Sequence, residues 1–232
     1  MTMRQIYETD LYSNRNPTWH EEDAPWKASH IEKIIHRNQL SFKNICEVGC
    51  GTGDILLNLS NAFPGVDLCG FEIAPQAYAR AKAKERDPVR FFLKDFLQDS
   101  EDHYDIILLI DVIEHVEDYN AFLKAIKSRS QYKIFHVPLD LSVQSLLRGW
   151  PIMNLRANVG HLHYFYKDSI LATLKDCGYR IIDHHYTASR LELPNQAVTS
   201  RLMRLPRRLC YAANRDLAVR VLGGYSLMIL AS

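Results

Sequence analysis

The stretch that decides the fold is Glu47-Val48-Gly49-Cys50-Gly51-Thr52-Gly53. It follows a short apolar run, Asn44–Val48, and precedes a segment with helical apolar spacing, Asp54–Ala62. A strand that turns into a helix through glycines is a place where backbone can bend tightly and approach a ligand, because no Cβ intrudes. In an open parallel sheet, ligands bind just outside the carboxyl ends of the strands, at such a turn.

The chain around this turn alternates. Strands are expected at 66–72, Val89–Leu93, Tyr104–Ile110, 132–137, 179–187 and 225–231. Helices are expected at 75–86, at 118–128 with Phe122, Ala125 and Ile126 inward, and from a capping Ser169 to Gly178. A further helical stretch, 196–220, is interrupted at Pro206. The run 104–110 is apolar throughout, as a strand covered on both faces is. Such alternation predicts an α/β fold, a doubly wound, mostly parallel seven-stranded sheet with an antiparallel last strand. Asp23-Ala24-Pro25 reads as a helix start, with Trp26, Ile31, Ile34 and Ile35 on one face. Residues 1–40 are therefore expected to form an N-terminal lid and helix. Residues 41–232 form the main domain, with insertions at 138–166 and 190–222; the first insertion has no clear period.

The 232 residues carry a net charge of +1, with 47% hydrophobic and 24% charged residues. That balance is ordinary for a globular protein, so disorder is not the default reading, and it gives no global bias toward nucleic acid or membrane. No signal-peptide core follows Met1 and no run of eighteen apolar residues occurs, so a cytoplasmic protein is expected. Five cysteines without a Cys-x-x-Cys pair read as reduced and mostly buried.

Two ligand classes compete for the glycine turn. The dinucleotide pattern G-x-G-x-x-G fails, since the third position is Asp54. A P-loop fails for want of Gly-Lys-Ser/Thr. Glu47 would repel a pyrophosphate and suits a cationic amino group. S-adenosylmethionine has such a group and no phosphate. From here the sequence resembles the class I S-adenosylmethionine-dependent methyltransferases, of the small-molecule or saccharide type. The resemblance rests on Glu47 to Gly53, on Glu72 and Ile73 after the second strand, on Asp95-Phe96 after the third, on Asp111-Val112-Ile113-Glu114-His115-Val116 after the fourth, and on His161-Leu162-His163-Tyr164-Phe165.

It implies that Glu47, Gly49, Cys50, Gly51, Gly53, Glu72, Ile73, Asp95, Phe96, Asp111, Val112 and His115 hold S-adenosyl-L-methionine. Glu72 would take the ribose hydroxyls and Asp95 the adenine amino group. The chain departs from the family at Arg129-Ser130-Gln131-Tyr132, where Gly-Gly is frequent, and at Leu139, where asparagine is frequent. It also lacks the Asn/Asp-Pro-Pro-Tyr/Phe stretch of members that methylate nucleobase nitrogens.

A hydroxyl acceptor needs a base, and histidine suits that role near neutral pH. The candidates are His161 or His163, then His136. Trp19, His20 and Trp26 are candidates for a lid over the ligand. No carboxylate stands at a ligand spacing from the His-x-His pair, so no metal is expected. His184-His185 reads as strand surface. Arginines 201, 204, 207, 208, 215 and 220 face one acid, Asp216. They leave open a peripheral membrane contact through 201–220, an anionic acceptor, or RNA. The expected function is methyl transfer to oxygen of a small-molecule or saccharide-linked acceptor. The alternatives are an RNA or protein methyltransferase and a non-catalytic cofactor-binding regulator.

Overall fold

The computed structural model describes residues 15–99, 102–193 and 204–232. Residues 1–14 of the expected lid, Arg201 and the start of the helix expected at 196 lie outside them. The described strands are β1 (Asn44–Val48), β2 (Asp67–Glu72), β3 (Val89–Leu93), β4 (Tyr104–Ile110), β5 (Ser130–Pro138), β6 (Ile181–Thr187) and β7 (Ser226–Ala231). They form one sheet in the order β3-β2-β1-β4-β5-β7-β6. β1 to β5 pair in parallel, and β7 runs antiparallel to both β5 and β6. This is the doubly wound sheet that the alternation implied.

Neighbouring side chains on a strand point to opposite faces. Cys46 and Val48 of β1, with Ile107 and Leu109 of β4, join one core cluster, while Ile45, Ile106, Leu108 and Ile110 join the other. Helices α1 (Ala24–Arg37) and α2 (Asp54–Ala62) cover the second face with Ile31, Ile34, Ile35, Leu56 and Leu59. Helices α3 (Pro75–Ala83) and α4 (Phe96–Asp99) follow β2 and β3. Helix α5 (Tyr119–Lys127) covers the first face through Leu123 and Ile126; Ala125, expected inward, is exposed because Leu123 occupies the inward position.

The insertion expected to lack periodicity contains two helices, α6 (Val143–Arg148) and α7 (Trp150–Asn158), hinged at Gly149 (φ 65°). Neither buries a residue fully, so neither has the apolar stripe that makes a helix readable in sequence. In α8 (Lys167–Asp176), Ser169 is the third residue and not the cap; its Oγ accepts from Tyr166 N at 3.1 Å. After α9 (Ser189–Glu192), helices α10 (Arg204–Ala213) and α11 (Arg215–Leu222) are divided at Asn214. Pro206 lies in the first turn of α10, where its missing N–H costs nothing. Asn214 Oδ1 accepts from Leu217 N and starts α11. Asp23 precedes α1, but its side chain makes no capping hydrogen bond.

All five cysteines are free. Among the described residues no helix is long and apolar enough to cross a membrane.

Candidate active site

The carboxyl ends of β1 to β5, the entry to α1 and the second half of α7 enclose a cavity of about 810 Å³. The glycine turn forms its floor. Gly49, Gly51 and Gly53 adopt φ of 73°, 55° and 80°, which side chains resist. A Cβ on Gly51 would meet nothing within 4 Å, so the turn presents bare backbone to open space. Gly53 serves a different purpose. Its Cβ would lie 2.3 Å from Phe91 Cζ, and Gly53 is not part of the cavity wall, so it is a packing residue.

Glu47 is 1% exposed and lies in the wall. Its Oε2 has no hydrogen-bond partner, and burial pushes its carboxyl well up despite Lys27 nearby. Glu72 is also buried, but it is occupied: Oε1 accepts from Ile73 N and Ala74 N and Oε2 from Gly51 N, each at 2.8 Å. Burial raises its pKa and those three N–H donors pull against the rise. Glu72 thus ties the end of β2 to the glycine turn. Ile73, Asp95, Phe96, Val112 and His115 all line the cavity. Asp95 Oδ1 also accepts from Leu97 N (3.1 Å), at the start of α4.

Asp111 closes one side. It stands at φ 54°, an uncommon conformation for a residue with a side chain. Lys27 Nζ lies 2.8 Å from its Oδ2, and His136 Nδ1 donates to its Oδ1 at 2.6 Å. Burial would raise the Asp111 carboxyl, but Lys27 and His136 outweigh it and hold it far below the usual carboxylate range. His136 Nε2 is 2.9 Å from Thr187 Oγ1, so both ring nitrogens of this base candidate are engaged.

Glu114, His115 and His161 build a further part of the wall. His161 Nδ1 donates to Asp140 Oδ2 at 2.7 Å, so a carboxylate partner, which sequence spacing did not show, is supplied by the fold. Ligand atoms of Glu114, His115 and His161 lie within 4.8 Å of one another. His163, the other loop candidate, is not part of the cavity wall. Its Nε2 donates to Val116 O at 2.9 Å and its ring packs on Tyr119. The reason is geometric: Leu162 N and His163 N both bond to Glu114 O, which directs the two histidines differently.

Trp19, His20 and Trp26 line the cavity, and Trp19 and His20 have φ of 50° and 58°. α1 itself is packed in the core, so only its first turn and the residues before it face the ligand space. His185 is half-buried against His30 (3.2 Å) rather than strand surface; His184 is exposed. Among the described arginines, Arg207 donates to Gly223 O, Arg220 to Asp168 and Arg204 to Leu191 O. Much of the expected basic patch is spent holding the chain together. Lys27, Glu114 and Asp140 were not singled out from sequence; the adjacent Glu114-His115 after β4 was the one local sign.

Residues 19–184 match a family model described as a methyltransferase domain. The chain belongs to that methyltransferase-domain family. Among curated relatives of this methyltransferase, the ubiquinone biosynthesis O-methyltransferase of Hydrogenovibrio crunogenus is 31% identical over 136 residues, 52% of this chain and 56% of the relative. That of Rickettsia bellii is 28% identical over 141 residues, 54% and 58%. The chain spans about half the length of the curated relatives it matches. Magnesium protoporphyrin IX methyltransferase from Synechocystis PCC 6803, solved with bound SAH, superposes with a TM-score of 0.60 at 17% identity, covering 98% of this chain and 91% of that one. Mitomycin 7-O-methyltransferase superposes at 0.64 and 15% identity, covering 99% and 60%. At these identities the two structures speak for the fold.

Proposed function

We propose that this methyltransferase moves the methyl group of S-adenosylmethionine to an oxygen of a small-molecule acceptor. The observation that carries the reading is Glu47: a buried carboxylate in the cavity wall with an oxygen lacking any partner. Leaving such a group unsatisfied costs free energy, and a cationic amino group beside it removes the cost. The rest of the wall fits the same ligand. The bare backbone of Gly51 admits close approach, Phe96 and Val112 give apolar walls, and Glu72 and Asp95 add carboxylates to the same wall that suit ribose hydroxyls and an adenine amino group.

S-adenosylmethionine supplies a methyl already made electrophilic by its sulfonium, so the chain contributes mainly alignment. An acceptor hydroxyl must lose its proton. The Glu114–His115–His161 corner receives that hydroxyl. With Nδ1 held by Asp140, His161 offers the lone pair on Nε2 and takes the proton in the ion-free chain. Burial and His161 lower the His115 pKa to about 4, so His115 stays neutral beside it.

Oxygen as the methylated atom follows the names of the curated relatives. A saccharide-linked acceptor is one form of the proposal. A membrane contact through the C-terminal arginines has less support, given how many are engaged within the chain. A cytoplasmic place of work belongs to the same proposal. Incubation with S-adenosylmethionine and a panel of phenols, polyols and sugar conjugates, read by mass spectrometry, tests the acceptor. Transfer to RNA or protein alone would overturn it.

A further inference from the structure

We infer that Glu114, His115 and His161 form a binding site for one divalent transition-metal ion of the zinc class, at the acceptor end of the cavity. Three observations converge. Their ligand atoms lie within 4.8 Å of one another. Bonds of roughly 2.1 Å in a tetrahedral site put ligand atoms about 3.4 Å apart, so a shift of about an ångström closes the set. Glu114 is 0% exposed and neither carboxylate oxygen has a partner, which is a large unmet need for a cation. The third observation is the tautomers. His161 Nδ1 donates to Asp140 Oδ2 (2.7 Å) and His115 Nδ1 to Gly160 O (3.1 Å). Each bond fixes the proton on Nδ1 and places the lone pair on Nε2. A ring held through one nitrogen by a carboxylate or carbonyl, with the other offered to a metal, is how metal-ligating histidines are oriented.

The scaffold is rigid enough to keep the set. Leu162 N and His163 N donate to Glu114 O at 2.8 and 3.2 Å, so the insertion carrying His161 is hydrogen-bonded to the turn that carries Glu114 and His115. Two imidazoles and one carboxylate suit zinc, cobalt or manganese better than magnesium or calcium, which take oxygen ligands. Three protein ligands leave a position open, and all three line the cavity.

The inference deepens the proposed reaction and rests on it for the ion's purpose. The acceptor hydroxyl takes the open position and the ion lowers its pKa. Its proton passes to water, and the oxygen takes the methyl as the sulfonium becomes a thioether. In the ion-bound chain His161 is a ligand and not the base. The expectation of no metal came from sequence spacing, and the fold removes its premise.

The test uses the full chain, stripped with chelator and titrated with cobalt(II) by visible absorption and with zinc by calorimetry. One equivalent of cobalt with the bands of a tetrahedral site is expected. Glu114→Gln and His161→Ala should abolish the bands, and Asp140→Asn should weaken zinc binding about 10–100-fold. His185→Ala, in the separate His30 cluster, should change nothing. If the chain binds S-adenosylhomocysteine but no ion, or binds ion equally well after Glu114→Gln and Asp140→Asn, the site does not exist. If it binds the ion but not S-adenosylhomocysteine, the site stands and the cofactor reading falls.

Discussion

Two carboxylates stand three residues apart after β4, on one cavity, in opposite conditions. Asp111 is met by Lys27 at 2.8 Å and by His136 at 2.6 Å, and is held ionised. Glu114 is fully buried with neither oxygen partnered, and burial pushes it toward the neutral form. The first is a closed arrangement whose charges balance within the protein. The second has a need that something outside the protein must meet. A cavity built this way has a finished side, which fixes N-terminal helix α1 to the sheet, and an unfinished side, which is where chemistry on an acceptor belongs.

Mutations sharpen the contrast. The largest effect is expected at the unfinished side. His161→Ala should lower turnover by about 10²–10⁴, the range for losing activation of the acceptor hydroxyl, whether His161 takes its proton or holds the ion that does the activating, with S-adenosylhomocysteine affinity nearly unchanged. Full turnover in a folded His161→Ala chain would break the assignment. At the finished side, Lys27→Met should destabilise the fold by roughly 2–3 kcal/mol in denaturant titration. That is somewhat below the ~3–5 kcal/mol for breaking a wholly buried pair, because this one is partly open to water. Glu114→Gln should by contrast leave stability within about 1 kcal/mol or raise it, since it removes a buried acid and breaks no bond. Equal losses for the two variants would erase the distinction.

Glu72→Ala should weaken S-adenosylhomocysteine binding by about 1–3 kcal/mol. It should also lower stability, because three backbone N–H groups lose their acceptor. The smallest effect lies outside the cavity. Burial, then His30 and Arg37, lower the His185 pKa from 6.5 to about 4. Between those values the unfolded chain binds more protons, so this contribution to stability is complete above pH 6.5 and is lost as pH falls toward 4. His185→Gln should flatten the unfolding midpoint against pH across that window.

The two sides also differed in how far they could be read. Strand β1, helix α2 and strands β3 and β4 stand at the residues their apolar spacing marks, because each is set by local pattern and a turn. Glu47 and Gly51 followed from the same stretch. The acceptor side resists such reading. Helices α6 and α7 lack a buried stripe, so their period is hidden. Asp140 meets His161 across 21 residues, and Glu114 meets His161 only because the insertion folds back on it. His161 and His163 alternate in sequence as if they shared a side, yet backbone bonds to Glu114 O send them to different places. Lys27 was hidden in the same way, since its partner Asp111 lies beyond four strands in the chain.

The most direct test of the central claim is calorimetry of S-adenosylhomocysteine against the full chain and its Glu47→Ala variant. The account predicts saturable binding at one site per chain, at least tenfold weaker in the variant, the scale of about 1.4 kcal/mol for one charge-assisted contact. Absence of binding to S-adenosylhomocysteine together with saturable binding of NAD would contradict it.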